Sequence, residues 1–305
     1  MANPQFQRLK ALASTPQALE DTISYVSQNL KRFIRRQERV LLCFPNHDPG
    51  SVGDILEKAV RACEAIPICW GPDYRWKALL RQAFVCRATT VIGPPLLVLG
   101  LAKLAKNTST PLYIRNVVTA GYPCLDWMID GITKTLDCNP WGVFGFPVGS
   151  IVGGFSCGCS RGVHIRQDAY DVRILDEEGN PVPDGTSGYI NLISRQDPTA
   201  VYRMRETARL ERAKCACGQE TPRLMDFHPG KNVDPALEKL GEELHSWTSV
   251  LDCTLKKGPC GLEMELVVFP GEKLPQLPAC ARMVLRNWDP ARDMPLWWGP
   301  VEENR

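Results

Sequence analysis

The chain has 305 residues, which is long enough to bury a hydrophobic core and favours two domains over one. It carries 36 Lys and Arg residues against 34 Asp and Glu residues, and the resulting charge of +2 gives no field strong enough to predict binding to nucleic acid or to a membrane surface. Its 13 cysteines lie scattered in apolar stretches rather than in a disulfide framework, so we expect a cytoplasmic protein with mostly buried thiols.

The first half of the sequence alternates helical and strand patterns. Apolar residues within positions 5–40 recur at steps of three and four, which predicts amphipathic helices. Strands are then predicted at RVLLCF, IPICW, TTVIG and IRNVVTAG, with helices between them, the first of which is capped by Ser51. The longest apolar run, IGPPLLVLGLAKLA, is interrupted by Pro, Gly and Lys, so no membrane span is expected. The alternation predicts an α/β fold with a doubly wound parallel-sheet layer over residues 1–150.

After residue 150 the pattern changes to short strands joined by turns such as EEGN and PDG. This pattern predicts an antiparallel β subdomain over residues 151–226, which completes an N-terminal domain over 1–226. A cluster of Pro, Gly and Asn in FHPGKNVDP marks a boundary. A small α+β domain is predicted over 230–305, with a helix at PALEKLGEELHSW, a hairpin of TSVLDCTLKK and LEMELVVFP, and a closing helix at LPACARMVLRNW.

Four metal-ligand side chains stand in two compact groups, Cys157 and His164 in FSCGCSRGVH and Cys215 and Cys217 in KCACG. Three thiolates and an imidazole can close a tetrahedral shell around Zn²⁺, so we expect one structural zinc ion that clamps the β subdomain. Cys159 is an alternative to Cys157 that the spacing does not exclude. The competing interpretation is a set of buried cysteines with a core histidine.

The same segments carry a family resemblance. In order along residues 40–225, the stretches CFPNHDPGSVGDILEKA, VVTAGYP, WGVFG, GVHIRQDAYDVRILDEEGNPVPDGTSGYINL and CACGQETPRL resemble the phenylacetate-CoA ligases, a branch of the adenylate-forming enzymes. The resemblance implies an AMP-binding fold that holds ATP and a carboxylic acid. It also implies a nucleotide site, whose matching positions are Gly121, Tyr122, Trp141, Gly142, Phe144 and Glu206.

The sequence departs from this family at the parts that hold the triphosphate. It has no Ser/Thr/Gly-rich phosphate loop, and Gly145 stands where the family has the glutamate that holds Mg²⁺. The C-terminal lysine of the family has only Lys273, in PGEKLP, as a nearby candidate. ATP or AMP therefore remains the expected nucleotide ligand, whereas Mg²⁺ binding is not favoured.

These observations give a main functional expectation and two alternatives. We expect a phenylacetate-CoA ligase-like protein that binds an adenine nucleotide or a carboxylic acid without ordinary ligase activity, with a protein partner or a second copy of the chain as a further partner. The first alternative is an active acid-activating ligase assisted by a partner. The second is a hydrolase that uses Ser160 of GCSRG, or Cys159 with His164, although the strand-like GVHIRQ does not suit a nucleophile elbow. No catalytic residue is assigned.

Overall fold

The computed structural model describes residues 4–70, 75–121, 124–146, 151–159, 161–228, 235–269, 274 and 282–287. The helices are α1 (Pro4–Ala13), α2 (Pro16–Leu30), α3 (Val52–Ala62), α4 (Trp76–Val85), α5 (Pro95–Asn107), α6 (Asp126–Leu136) and α7 (Pro235–Ser246). The first strands are β1 (Arg39–Leu42), β2 (Ile66–Cys69), β3 (Thr90–Gly93), β4 (Asn116–Thr119), β5 (Trp141–Phe146), β6 (Ile151–Phe155) and β7 (Val163–Ile165). The remaining strands are β8 (Tyr170–Leu175), β9 (Ser187–Ser194), β10 (Val201–Glu211), β11 (Arg223–His228), β12 (Val250–Gly258), β13 (Gly261–Val268) and β14 (Arg282–Asn287).

Eleven strands form one mixed sheet in the order β2-β1-β3-β4-β5-β6-β7-β11-β10-β9-β8. The pairs from β2 to β5 are parallel, and those from β5 to β8 are antiparallel. The predicted α/β and antiparallel parts are therefore joined edge to edge through β4 and β5, and are not two separate layers. The mixed α/β architecture is confirmed.

The parallel half buries side chains on both faces. Val40 and Leu42 of β1 contribute to a core with α2 and α3, whereas Leu41 contributes to the opposite core with α4, α5 and α6. Because side chains alternate across a strand, a short, fully apolar run such as VLL is what a sheet covered by helices on both faces needs. The Ser51 cap is confirmed, since its side chain accepts a hydrogen bond from the Asp54 amide at 3.3 Å.

Three expectations about individual elements need comment. The closing helix is wrong over its described part, because residues 282–287 form β14, which pairs in parallel with β13. The helical pattern expected within residues 5–40 ends at Leu30, the last residue of α2. The basic residues that follow lie outside the helix, and Ile34 among them is buried in the core. The hairpin of β12 and β13 is confirmed, and with β14 it forms a second, three-stranded sheet. We refer to α7 and β12–β14 together as the C-terminal unit.

The cysteines among the described residues are free thiols, but only five of these 12 are buried, so the expectation of mostly buried thiols is wrong. In the part of the chain that the structure describes, every helix is too short or too polar to cross a bilayer.

Candidate metal centre and ligand cleft

The four predicted metal ligands converge at one point of the large sheet. Cys157 follows β6, His164 lies in β7, and Cys215 and Cys217 lie in the loop between β10 and β11. Their ligand atoms all lie within 4.8 Å of one another, with Cys157 Sγ 3.6 Å from Cys215 Sγ and Cys217 Sγ 3.4 Å from His164 Nε2. A tetrahedral Zn²⁺ site with Zn–S bonds of about 2.3 Å separates its sulfur atoms by about 3.8 Å, so these spacings suit that ion.

Hydrogen bonds around the four residues orient them. His164 Nδ1 lies 3.0 Å from the Thr221 carbonyl oxygen and 2.9 Å from Thr221 Oγ1. A proton on Nδ1 satisfies the carbonyl and leaves Nε2 with its lone pair toward the thiols, which is the arrangement that metal-binding histidines use. The Gly218 amide donates to the Cys215 carbonyl at 3.0 Å and closes the Cys-x-Cys-Gly turn. The donor set and its outer hydrogen bonds fit zinc.

The structure also distinguishes the two candidate cysteines of the first group. Cys157 is buried and lies with the other three ligands, whereas Cys159 is exposed. The ring of His164 is engaged by Cys217 and Thr221, which leaves neither ring nitrogen for a Cys159 nucleophile. Ser160, the candidate hydrolase nucleophile, lies outside the described residues.

The loop between the first two ligands is supported by Trp141 of β5. The Trp141 ring stacks on Phe33 with ring centroids 4.5 Å apart, and the Arg32 guanidinium lies 5.2 Å from its centroid. Arg32 also donates to the Cys157 carbonyl at 3.1 Å. Gly158 has a φ of +73°, and a Cβ there would lie 2.9 Å from the Trp141 ring, so the position needs glycine for conformation and for space. Trp141 thus packs under the metal-ligand loop.

A cavity of about 250 Å³ lies beside this loop, at the carboxyl end of β4 and the amino-terminal half of α6. Its volume lies slightly below the range of about 300–1,000 Å³ that is usual for small-molecule sites. Its wall includes Gly142 and Phe144, two of the predicted nucleotide positions; Trp141 and Glu206 are not among the described lining residues. The cavity is lined by Thr119, Cys124, Asp126, Ile129, Asp130, Thr133, Asn139, Pro140, Gly142, Val143, Phe144, Ser156, Gly158, Cys159, Arg161, Gly162, Val163, Asp226 and Phe227.

The other predicted nucleotide positions are not among the described residues that line this cavity. Gly121 follows β4 with a φ of +99°, a conformation that favours glycine at this turn. Tyr122 and Lys273 lie outside the described residues. Phe144 is buried and packs on Phe227 with centroids 5.7 Å apart, and Glu206 lies in β10 where the pairing with β9 changes register. The structure therefore brings Gly142 and Phe144 together at one cavity.

At position 145, where the resembled family has its magnesium-binding glutamate, the structure leaves no room for a side chain. A Cβ on Gly145 would lie 2.1 Å from the Ile151 carbonyl oxygen, because β5 and β6 change register between Phe144 and Gly145. A glutamate side chain would have to displace β6, so the strand pairing itself opposes a metal carboxylate at this position.

The cavity has a charged rim that sequence reasoning missed. Arg161 forms ion pairs with Asp126 at 2.9 Å and with Asp130 at 2.6 Å, and these hydrogen bonds raise the pKa of its guanidinium. Asp226, at a φ of +53°, pairs with Arg209 on the other side. Arg161 lies between Cys157 and His164 in the sequence, so the metal-ligand loop is itself one wall of the cavity. Position within that loop was the signal that could have identified it.

No protein-family model and no curated protein matches the sequence. Solved structures match the fold. The chain superposes on 2-hydroxyisobutyryl-CoA ligase in the postadenylation state with a TM-score of 0.67, at 12% identity, over 82% of this chain and 58% of that one. For the same enzyme in the thioesterification state the TM-score is 0.59, at 14% identity and the same two coverages. The amide bond synthetase McbA from Marinactinospora thermotolerans gives 0.56 at 15% identity, over 87% of this chain and 62% of that one.

The chain has the fold of these CoA ligase and amide bond synthetase structures. It spans about 58% of the length of the 2-hydroxyisobutyryl-CoA ligase that it matches. At these identities the similarity concerns the fold, and the function has to be argued from the site.

Proposed function

We propose that this chain binds an adenine nucleotide or an acyl ligand in the cavity beside α6, as a zinc-stabilised relative of the phenylacetate-CoA ligases that does not catalyse ordinary ligation. The observation that carries the proposal is the position of the cavity. It lies at the carboxyl end of a parallel strand, where α/β sheets bind ligands, in a fold whose matched ligase was solved with an acyl-AMP. Cys157, His164, Cys215 and Cys217 support the branch assignment, because they coincide with that family's cysteine and histidine positions.

The absent motifs determine which part of a nucleotide this cavity can hold. A nest of backbone amides and a metal-bound carboxylate normally bind the triphosphate. The sequence lacks the phosphate loop that would provide the amides, and position 145 is a glycine with no room for a carboxylate side chain. Each charge-assisted hydrogen bond that is missing forfeits about 1.5–3 kcal/mol. AMP should therefore bind as well as ATP, and Mg²⁺ should not improve the affinity.

Calorimetric titration of AMP, ATP and Mg-ATP tests this proposal. We expect AMP and ATP to bind with affinities within about tenfold of each other, without a magnesium effect. Thr133 lines the cavity, so Thr133→Trp should fill it and abolish binding, whereas Lys134→Trp, at an exposed neighbouring position on α6, should not. No binding of any adenine nucleotide would contradict the nucleotide assignment.

A second candidate is an active acid-activating enzyme completed by a partner. It is favoured by one observation, namely that the chain spans only 58% of the ligase that it matches. A partner protein would then provide the phosphate loop that this chain lacks. Tight Mg-ATP binding with pyrophosphate release in the presence of aryl and fatty acids would favour this candidate over the first.

The domain organisation of the chain is also a proposal. We infer that residues 1–226 and 230–305 are the two domains, and that their relative orientation resembles the postadenylation arrangement of the matched ligase. The higher TM-score for that state of the enzyme, at equal coverage, supports this inference.

A further inference from the structure

Lys103 is a buried lysine in an apolar helix. It lies in α5, whose residues from Pro95 to Ala105 are all buried, and its own exposed fraction is 5%. Lysine is almost never fully buried unless its ammonium group has partners, because removing the charge from water is costly. The position therefore needs an explanation outside α5.

The partners of Lys103 belong to the C-terminal unit. Its Nζ donates to the His245 carbonyl at 2.6 Å and to the Val250 carbonyl at 2.9 Å. His245 lies in the last turn of α7, where carbonyl groups have no partner within the helix and carry the negative end of the helix dipole. Lys103 thus caps α7 from a different element, more than 140 positions earlier in the chain.

Neighbouring polar groups reinforce this connection. Asn107, one turn further along α5, donates to the Lys103 carbonyl at 3.0 Å and to the Thr248 carbonyl at 3.4 Å. The buried Asp252 accepts from the Cys253 amide at 2.8 Å, and its Oδ1 lies 4.0 Å from His245 Nε2. The titratable groups that surround the ammonium are therefore His245 of α7 together with Asp252 and Cys253 of β12. Burial lowers the pKa of Lys103 to about 8, and the nearby Cys253 and Asp252 oppose this shift.

Apolar contacts surround the polar ones. Leu251, Val267 and Phe269 of the C-terminal unit are buried in the same core cluster as the leucines of α4 and α5. The His245 ring stacks on Trp127 of α6, with centroids 5.3 Å apart and an interplanar angle of 18°. These contacts form the interface between α5 and α6 and the C-terminal unit, which we call the seam. The seam excludes water around Lys103, and this strengthens the hydrogen bonds of Lys103.

We propose that Lys103 is a latch that fixes the C-terminal unit to α5, so that this unit does not open or rotate independently of the large sheet. Lys103 is the hydrogen-bond partner of the His245 and Val250 carbonyls across the seam. Separating the C-terminal unit from α5 would require water to solvate the ammonium group and both carbonyls. It would also expose Leu251, Val267 and Phe269 to water. This inference goes beyond the proposed function and does not require that any nucleotide binds.

Hydrogen exchange of the full chain tests the latch. In the wild-type protein, amides of α7, β12 and β13 should be protected to within tenfold of those in β3 and α5. Lys103→Met keeps the apolar stem and removes the ammonium group, and it should accelerate exchange within residues 235–268 at least tenfold while leaving β1 and β3 unchanged. The control is Lys106→Met, at an exposed position on the same helix, which should leave exchange unchanged.

Two results would overturn the latch. One is unchanged exchange over residues 235–268 in Lys103→Met; the other is fast exchange of that region in the wild-type protein. If Lys103→Met does not fold, Asn107→Ala keeps the ammonium group and removes the Asn107 hydrogen bonds to the Lys103 and Thr248 carbonyls, and it should still accelerate exchange in residues 235–268 selectively. Unchanged exchange in that variant, or a uniform increase over the whole chain, would equally contradict the proposal.

Discussion

Cys217 Sγ lies 3.4 Å from His164 Nε2, although 53 positions separate these residues in the sequence. The approach depends on the antiparallel pairing of β7 with β11, which sets His164 opposite Arg223 and places the loop before β11 beside β7. Metal binding and pairing of these strands should therefore support each other.

We expect one equivalent of zinc per chain, held by four protein ligands. Cys157→Ser should remove zinc and lower the thermal stability sharply, because the binding free energy of a structural zinc ion contributes to folding. Cys159→Ser is the matched control two positions away, and it should retain both zinc and stability because Cys159 is exposed outside the quartet. Elemental analysis of untagged protein measures the zinc content. Substantially less than half an equivalent in the wild-type chain would contradict the site.

Zinc and the cavity ligand should bind cooperatively. Gly158, Arg161 and Val163 line the cavity and lie between Cys157 and His164, two of the candidate metal ligands, so removal of a bound zinc ion should disorder one wall. We expect chelation to weaken AMP binding at least tenfold, and AMP to raise zinc affinity by the same factor, because coupling between two binding equilibria is reciprocal. Calorimetry on zinc-loaded and chelated protein, with circular dichroism to verify folding, measures this. Equal AMP affinity in both forms would contradict the coupling.

Restoring a carboxylate at position 145 should not restore magnesium binding. A side chain there meets the Ile151 carbonyl oxygen at 2.1 Å, so Gly145→Glu should destabilise the protein by about 1–3 kcal/mol through overpacking and should not improve Mg-ATP affinity. Gly142→Ala is the control for stability alone, since its nearest neighbour would be Thr119 Oγ1 at 3.9 Å, whereas its position in the cavity wall excludes it as a control for affinity. Denaturant unfolding and calorimetry measure both effects. Tight Mg-ATP binding by Gly145→Glu would show that β6 gives way.

Acid should destabilise the seam through His245. Burial, followed by the nearby positive charge of Lys103, lowers the pKa of His245 to about 3, whereas in the unfolded chain it is near 6.5. The unfolded state therefore binds the extra proton between these values, and stability falls as the pH drops from about 6.5 toward 3. His245→Phe should show a weaker pH dependence of unfolding over this window than the wild-type protein. An identical pH dependence would mean that His245 is not buried in its neutral form.

Several features followed from local sequence alone. The apolar runs of β1 and β3 have the length of strands covered on both faces, and Ser51 was identifiable as a helix cap because a side-chain oxygen can accept from an amide three positions on. The spacing of Cys215 and Cys217 marked a candidate pair of metal ligands, because the two residues of a Cys-x-Cys-Gly turn are neighbours in the chain. Such features depend on neighbours within a few residues, which the sequence displays directly.

Long-range pairing decided the rest. The segment RMVLRN carries consecutive apolar residues that suit a helix or a strand equally, and it becomes β14 because β13 offers a parallel edge. The choice of Cys157 over Cys159, the ion pairs of Arg161 and the burial of Lys103 likewise depend on elements far away in the chain. A side chain acquires such partners through the packing of whole sheets and helices, which is selected by backbone pairing and by apolar area buried between distant segments, and no local pattern specifies either.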